Sequence, residues 1–334
     1  MHDTVLLAHG SGGTQTQELI EQIFARRFAN PYLTSDDAAI LSLGEKTIAV
    51  STDGFIVHPH IFPGGDIGKL SICGTVNDIS CMGAKPMWLT CSFVLEEGLP
   101  MAELETIVSS MAQTANTAKV NIVAGDTKVA GKGQVDKIFI NTTGIGIRMD
   151  GVKPAGTMAR EGDAIIVSGD IGRHGCAILL AREHFNITTD IQSDCAPLWH
   201  LVEAAFNICT DIHVIRDATR GGVGTVLYEI ARQSQVGILL KSQNIPVDPK
   251  VSGVCQMLGL DPLYLACEGR LVFIVPQNVA DSIVASLRSQ PHGESAAIIG
   301  HVTAQKPGSV FIETSIGSTT LLPKPTGELL PRIC

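Results

Sequence analysis

The sequence predicts an α/β protein made of two domains with mixed sheets and a C-terminal tail. Its 334 residues exceed what one hydrophobic core ordinarily serves. Strand-like apolar runs and helical patterns follow one another through both halves. A Gly- and Pro-containing segment without hydrophobic period, DGVKPAGTMAREG, begins at residue 150. We therefore expect domains at residues 1–152 and 153–314, and a tail at residues 315–334.

Composition narrows the class of protein. Hydrophobic residues make up 45% of the chain and charged residues 17%, which is typical of a globular protein. The net charge is −9 without a cluster of Lys and Arg, which argues against nucleic-acid binding. No apolar run approaches the roughly 20 residues of a membrane span, and the N-terminus lacks a signal-peptide pattern. Nine cysteines without a CxxC pair favour a reducing cytoplasm.

The first half contains helical and strand patterns in alternation. Leu19, Ile20, Ile23 and Phe24 have helical spacing in TQTQELIEQIFARRF. The small residues of GKLSICGTVNDISCMGA predict a buried helix, and Pro100 begins the helix PMAELETIVSSMAQTANTA. The strands that we expect here are TIAVSTD, MWLTCSFVL, NIVAG and DKIFINTTGIGI.

The second half repeats this alternation and then loses it. The expected strands are AIIVSGD, DIHVI, VGILL and RLVFIV, and the expected helices lie at 175–184, 197–207, 277–289 and from Gly222 onward. From Ser315 the chain has three prolines and two glycines, which predict no regular element. We interpret this segment as a mobile tail, since seventeen extended residues span roughly 55 Å.

Aspartates in apolar surroundings predict a divalent-cation site in the first half. They occur in TSDDAA (Asp36, Asp37), STDG (Asp53), VNDIS (Asp78) and AGDTK (Asp126). Converging carboxylates repel one another unless a cation neutralises them, and Mg²⁺ bridges carboxylates to nucleotide phosphates. Each aspartate alone is better explained as a turn or cap residue; together they favour Mg²⁺.

Two glycine-rich segments are candidates for binding phosphate. HGSGG, with His9, Gly10, Gly12 and Gly13, precedes a helix, and so does DATRGG, with Asp217, Arg220, Gly221 and Gly222. A flexible terminus and a capped turn are the alternatives. GGDIGKL is not a Walker loop, because its glycines are too close and Leu70 replaces the metal-binding Ser or Thr.

Two further residues could take part in proton transfer. Glu268 in CEGR precedes an apolar strand, where Glu is usually a turn residue but could be a general base. Lys128 in GDTKV could serve phosphates or proton transfer, although a lysine is usually a solvated charge. The ten histidines lack zinc-ligand spacing, so we predict no zinc site.

Taken together, LAHGSGG, STDGF, FPGGDIGKLSICGTVNDISCMGA, AGDTKV, RDATRGGV and the terminal PRIC resemble the HypE family of hydrogenase maturation proteins. The resemblance runs from residue 5 to residue 334. It implies the PurM-like fold shared with aminoimidazole ribonucleotide synthetase, selenophosphate synthetase and thiamin-monophosphate kinase. It also implies a homodimer whose N-terminal sheets form a barrel, and an ATP site built from aspartates.

The same resemblance implies a reaction and partners. A HypF carbamoyltransferase would place a carbamoyl group on the Cys334 thiol, and ATP-dependent dehydration would convert it to a thiocyanate. The cyanide would then pass to iron on a HypC–HypD complex. Under this interpretation Cys334 is the carrier, Glu268 the base and Lys128 its assistant, with Lys132 as a rival. The alternatives are a small-molecule kinase of the same superfamily, and a non-enzymatic scaffold with a docking tail.

Overall fold

The computed structural model of the chain describes residues 14–19, 21, 36–182, 185, 187 and 189–324. The predictions on His9, Gly10, Gly12, Gly13 and Cys334 lie outside these residues. Among the described residues, no helix is both long and apolar enough to cross a membrane.

The first half of the chain is built around one mixed sheet. Its elements are α1 (Thr14–Leu19), β1 (Ala39–Leu43), β2 (Lys46–Phe55), β3 (Ile61–Phe62), β4 (Gly65–Asp66), α2 (Ile67–Cys81), β5 (Ala84–Glu96), α3 (Met101–Ala118), β6 (Asn121–Ala130) and β7 (Ile138–Arg148). Five strands pair in the order β1-β2-β7-β5-β6. Only β5 and β6 run parallel, and this sheet is open, with β1 and β6 at its edges.

The second half forms a seven-stranded mixed sheet. Its elements are β8 (Ala164–Val167), α4 (Arg173–Arg182), α5 (Trp199–Phe206), β9 (Val214–Asp217), α6 (Gly222–Gln233), β10 (Gly237–Lys241), α7 (Pro249–Leu258), β11 (Leu271–Val275), α8 (Gln277–Arg288), β12 (Ala297–Thr303), β13 (Val310–Glu313) and β14 (Thr319–Leu321). The strand order is β14-β13-β10-β12-β8-β11-β9, with only β10 and β13 parallel. Two 3₁₀ turns cover Ser242–Asn244 and Pro262–Tyr264.

Both faces of this second sheet carry hydrophobic cores. Along β8, Ile165 and Val167 belong to the core on the side of α6, whereas Ala164 and Ile166 belong to the core on the side of α5 and α8. This alternation follows from the two-residue period of a strand. All five residues of β11 are buried, as expected for a strand covered on both faces.

Helix α2 is the buried helix that the small residues of its sequence predict. Thirteen of its fifteen residues are buried, and the Asp66 carboxylate caps its N-terminus by accepting a hydrogen bond from the Lys69 amide at 3.0 Å. Glycines let neighbours approach closely: a Cβ on Gly146 of β7 would lie 2.3 Å from Ile79 Cγ2. The helix thus lies directly on the first sheet.

The same helix joins the two halves. The Asn77 side-chain amide donates to the Ala196 carbonyl oxygen at 3.0 Å, and the Leu198 amide donates to Asn77 Oδ1 at 2.8 Å. Asn77 is only 2% exposed, so both hydrogen bonds are shielded from water. A side chain on α2 therefore holds the loop that leads into α5.

The prediction that residues 315–334 contain no regular element was wrong at Thr319–Leu321. These residues form β14, antiparallel to β13, and Leu322 beyond it is buried. Pairing with β13, rather than local sequence preference, creates this short strand. Sequence patterns also missed α7, β12 and β13. The domain boundaries at 152/153 and 314/315 remain predictions.

Candidate active site

Carboxylates from both halves of the chain converge around Asp78 in the middle of α2. The Ser51 hydroxyl of β2 donates to Asp78 Oδ2 at 2.6 Å. Asp53, two residues further along β2, is close enough to Asp78 for each carboxyl group to affect the pKa of the other. Two neighbouring carboxylates repel each other unless a proton or a cation neutralises one of them. This pair is therefore a site where a proton and a metal ion would compete.

Asp37 lies in the same cluster and faces a buried arginine. Its Oδ1 is 2.6 Å from Arg216 Nε, and Arg216 Nη2 is also 3.1 Å from Glu229 Oε2. The side chains of Asp37 and Arg216 are 7% and 11% exposed. Asp37 Oδ2 has no hydrogen-bond partner among the described residues. A buried carboxylate oxygen without a partner is costly, and a bound cation would satisfy it.

Burial makes these carboxyl groups hard to ionise. It raises the pKa of Asp37 and Asp78 well above the usual range, and neighbouring carboxylates raise both further. For Asp53, burial raises the pKa against the opposing effects of Arg220 and Asp78. Burial raises the pKa of Asp217 to about 6, although Arg216 opposes it. The cluster has more negative charge than its protein cations neutralise.

This donor set fits a hard divalent cation. Mg²⁺ takes oxygen ligands, and Asp37, Asp53, Asp78 and Asp217 offer carboxylate oxygens in a shielded place. Ligand atoms of Asp37, Cys81 and Asp217 all lie within 4.8 Å of one another. Burial raises the pKa of the Cys81 thiol well above its usual value, so Cys81 stays protonated and is a poor ligand.

The turn at Arg220–Gly222 lies between β9, which ends at Asp217, and α6. Gly221 and Gly222 have φ of 74° and 62°, a region that favours glycine. A Cβ on Gly222 would lie 2.5 Å from the Leu265 carbonyl oxygen. Both conditions require glycine here. The turn leaves Arg220 exposed at the N-terminus of a twelve-residue helix, next to the acidic cluster.

Glu268 lies at the buried edge of the cluster. It is 5% exposed, and its backbone amide donates to Asp194 Oδ1 at 3.1 Å. Asp194 Oδ2 is 3.8 Å from Arg270 Nε, and Arg270 in turn pairs with Asp170 at 2.6 Å. Burial raises the pKa of Glu268 well above the usual range, and Cys195, Asp217 and Asp194 raise it further. A carboxylate in such a place binds a proton more strongly than an exposed carboxylate does, which suits a general base.

Two predicted residues lie apart from this cluster within one chain, and a third lies at its border. Asp126 and Lys128 lie inside strand β6 rather than in a turn, are exposed, and pair with each other at 2.8 Å. Lys128 holds the pKa of Asp126 below its usual value, the opposite of what the buried aspartates show. Asp36 borders the cluster beside Asp37, and its Oδ1 accepts a hydrogen bond at 2.7 Å from the amide of Gly156, in the segment that begins at residue 150. Asp53 belongs to the cluster, but it lies inside strand β2 and not, as the sequence predicted, in a turn at the end of that strand.

The structure also places residues near the site that the sequence did not indicate. Ser51 and Arg216 directly contact the aspartates, and Asp194 holds the backbone of Glu268. Arg216 adjoins Asp217 in RDATRGG, so a charge next to the motif was the available signal. Ser51 begins the motif STDG, two residues before Asp53, but its contact with Asp78 depends on the fold. Asp194 comes from a segment without a motif, and only the fold brings it to Glu268.

Comparison with known proteins supplies the family. The family model of the AIR synthase related protein, N-terminal domain, matches residues 35–148. The model of the corresponding C-terminal domain matches residues 160–313. The chain is 43% identical over 336 residues to a protein of Rhodobacter capsulatus named carbamoyl dehydratase HypE, covering 99% of this chain and 98% of that one.

Solved structures agree with the sequence relatives. A chain in a crystal structure of a HypE–HypF complex superimposes with a TM-score of 0.88 at 46% identity, covering 92% of this chain and 99% of that one. A crystal structure of HypE in complex with ATP gives a TM-score of 0.83 at 49% identity, with coverage of 99% and 100%. The acidic cluster therefore lies in a fold whose relatives include an ATP complex.

Proposed function

The chain belongs to the AIR synthase related protein family and, within it, to the HypE carbamoyl dehydratases, and from this we infer that it is an ATP-dependent carbamoyl dehydratase of [NiFe]-hydrogenase maturation. Two features support the assignment. The relatives match over nearly the full length of both chains. The described residues also form a buried carboxylate cluster next to a glycine turn at a helix start, which suits a nucleotide with its metal.

The proposed substrate is an S-carboxamide on Cys334, and its product is a thiocyanate. An amide oxygen is a poor leaving group, so the γ-phosphoryl group of ATP is transferred to it. Phosphate then leaves as the two N–H protons are removed and the C≡N bond forms. The products are Cys–S–C≡N, ADP and phosphate, and the amide oxygen ends in the phosphate. The enzyme must position the amide, the γ-phosphate and a base together.

Different residues of the cluster are proposed to have different roles in this reaction. Asp37, Asp53, Asp78 and Asp217 would hold Mg²⁺, which supplies charge neutralisation of the triphosphate when bound. Arg220, Gly221 and Gly222 would hold phosphate oxygens through a guanidinium and helix-start amides. The orphaned Asp37 oxygen supports the metal assignment. We assign His9, Gly10, Gly12 and Gly13 to the same nucleotide from the sequence alone.

Glu268 is the base that we propose for removing N–H protons. Its burial among Asp194, Asp217 and Cys195 gives its carboxylate a high affinity for protons, which is what the step requires. Lys128, or Lys132 near it, would assist by neutralising the amide oxygen. Because Lys128 and Asp126 are exposed on β6, they can join a site only when something covers that strand.

A second copy of the chain is the cover that we propose. β6 is an edge strand, and Ile122, Val123 and Val129 on it are 38%, 59% and 69% exposed. Exposed apolar edge strands pair readily with another strand. A homodimer joined through the open sheets, as a barrel across both chains, would bury these side chains. It would also bring Lys128, Lys132 and Asp126 close to a shared metal and nucleotide site.

The partners and compartment follow from the same reaction. A HypF-type carbamoyltransferase would load the Cys334 thiol, as the relative in a HypE–HypF complex suggests. A HypC–HypD iron complex would accept the cyanide. The eight cysteines that the structure describes are all free thiols. That state fits a reducing cytoplasm, where we place the protein.

The decisive experiment is the mass of the C-terminal peptide. Protein carbamoylated on its thiol is incubated with Mg²⁺ and ATP, digested, and analysed by mass spectrometry. We expect Cys334 to lose one water per chain with stoichiometric release of phosphate. Cys334→Ser, which keeps size and polarity, is expected to bind ATP normally and form no nitrile. A nitrile on another cysteine, or ATP consumption without any nitrile, would contradict the proposal.

A further inference from the structure

Two buried tyrosines hold the last described residues of the chain. The Tyr228 hydroxyl donates to the Leu322 carbonyl oxygen, and the Tyr264 hydroxyl donates to the Pro323 carbonyl oxygen. The Leu322 amide donates to the Val310 carbonyl oxygen at 2.9 Å, and its side chain is 2% exposed within the core of the second sheet. We call these contacts the tyrosine clamp.

The clamp explains why the chain is ordered here. β14 has only three residues, all exposed, on the edge of the sheet. Such a strand is marginal by itself. Tyr228 and Tyr264 are 8% and 9% exposed, and a buried hydroxyl needs a hydrogen-bond partner. The two carbonyl groups after β14 satisfy both hydroxyls, so the clamp stabilises the strand end as well as the tyrosines.

The clamp also lies beside the candidate active site. A Cβ on Gly224, in the first turn of α6, would lie 2.8 Å from Tyr264 Cε1. The carbonyl oxygens of Leu263 and Leu265 lie 2.6 Å and 2.5 Å from the Cβ position of Gly222. Glu268 follows Tyr264 by four residues, so their Cα atoms are at most about 14 Å apart. One segment thus backs the glycine turn, carries the clamp and leads to Glu268.

We propose that Tyr228 and Tyr264 are positioning residues that fix the pivot of the tail at Pro323. This proposal rests on the proposed function, in which Cys334 carries the substrate. Only the eleven residues 324–334 then form the tether, and they reach at most about 40 Å. Tyr264 ties this pivot to the segment that leads to Glu268, and the short tether keeps the thiol at a high effective concentration near the site, because effective concentration falls as a tether lengthens.

The test removes the clamp without removing the rings. Y228F/Y264F keeps both aromatic side chains and deletes both hydroxyls. Cyanate, which adds to a thiol to give the S-carboxamide, loads the protein without a transferase. The first-order rate of nitrile formation on Cys334 is then measured at saturating Mg²⁺ and ATP. If the clamp is lost, the tether begins at Thr319 and has sixteen residues instead of eleven. We then expect nitrile formation to be about twofold slower.

Two controls separate tether length from other effects. Five Gly and Ser residues inserted after Lys324 lengthen the tether equally while the clamp stays intact, and we expect the same slowing. Ser286→Ala deletes another side-chain hydroxyl, which donates to the Ala204 carbonyl oxygen at 3.3 Å, and we expect no slowing. Hydrogen exchange at residues 319–322 reports release directly, and we expect it to be roughly tenfold faster or more in Y228F/Y264F.

Each outcome decides the proposal. Faster exchange with a lower rate, matched by the insertion, supports it. Unchanged exchange in Y228F/Y264F would show that the hydroxyls do not hold the pivot. Faster hydrogen exchange with an unchanged rate of nitrile formation would show that the pivot does not matter for delivery of the Cys334 thiol. Either of these two results overturns the proposal. If the unaltered protein itself forms no nitrile, the carrier role of Cys334 fails, and that failure is visible before any variant is compared.

Discussion

At the scale of single residues, the decisive feature is the accumulation of buried negative charge. Asp37, Asp53, Asp78 and Asp217 all have raised pKa values because burial disfavours their ionised forms. The buried guanidinium of Arg216, which pairs with Asp37, opposes this rise in pKa. Such an arrangement costs stability and is typical of a binding site that a ligand completes.

The pH dependence of stability follows from Asp217. Its pKa is about 6 in the folded protein and near 4 when unfolded, so the folded state holds an extra proton between these values. Its stabilising contribution is therefore present below about pH 4 and lost as pH rises through about 6. Between pH 4 and pH 7, titration of Asp217 is expected to lower the free energy of unfolding of the unaltered protein by about 2–3 kcal/mol. We expect Asp217→Asn to lack this decrease.

Urea unfolding of ligand-free protein and of Asp217→Asn across this pH range measures the difference. Taking the difference between the two proteins cancels exposed groups such as Asp126 and Asp190, whose lowered pKa values act in the opposite direction. Parallel curves for the two proteins would show that Asp217 does not titrate in this range.

Asp78 allows a direct test of the metal site. Asp78→Asn keeps an oxygen that accepts the 2.6 Å hydrogen bond from Ser51, but it removes a negative charge. We expect the affinity for Mg²⁺-ATP to fall at least about tenfold, because hard cations prefer charged oxygen ligands. Isothermal titration calorimetry measures it. Asp190→Asn, which breaks an exposed pair with Lys250, serves as the control with the same chemical change.

At the scale of elements, the close packing of α2 on the first sheet places Asp78. A Cβ on Gly146 would meet Ile79 Cγ2 at 2.3 Å and the Lys85 carbonyl oxygen at 2.8 Å. We expect Gly146→Ala to lower the free energy of unfolding by about 1–3 kcal/mol, since the helix must move away. Gly253→Ala in α7, where nothing lies within 4 Å of the added methyl group, should instead stabilise by up to about 1 kcal/mol. Equal destabilisation of the two variants in urea would contradict this account.

The same scale shows what local sequence could and could not predict. The buried helix of small residues and the Pro100 start of α3 are present as expected, because composition and capping determine them locally. β13 and β14 have four and three residues and depend on neighbours distant in the chain. Their patterns are too short to distinguish from a loop. Asp126 was grouped with the other aspartates by its motif, but an exposed edge strand holds it apart.

At the scale of the whole molecule, the open edge of the first sheet predicts the assembly. We expect Val123→Lys/Val129→Lys to halve the molar mass in solution, because charges on an edge strand oppose pairing. We also expect nitrile formation to fall if Lys128 acts in a site shared between copies. Light scattering after gel filtration measures the mass. Met257→Lys, at a 65% exposed site on α7, is the control, and an unchanged mass in the double variant would refute this interface.

The two-domain α/β architecture could be predicted from chain length, alternating patterns and the break near residue 150. The sequence could also nominate Asp37, Asp53, Asp78 and Asp217, which the structure brings together. Their partners Ser51 and Arg216 lie inside the motifs STDG and RDATRGGV, but only the packing of separate segments shows that they contact the aspartates. Asp194, which holds the Glu268 amide, comes from a segment without a motif.

The hydrogen bonds of Asn77 have a mechanical consequence. They fasten the loop of one half to the helix that carries Asp78, and the Ser193 amide adds a link to the Pro63 carbonyl oxygen at 2.8 Å. Separating the two halves would break these hydrogen bonds, of which those of Asn77 are buried. We therefore expect the two halves to keep a fixed relative position during the reaction, so that delivery of the substrate depends on movement of the C-terminal end of the chain alone.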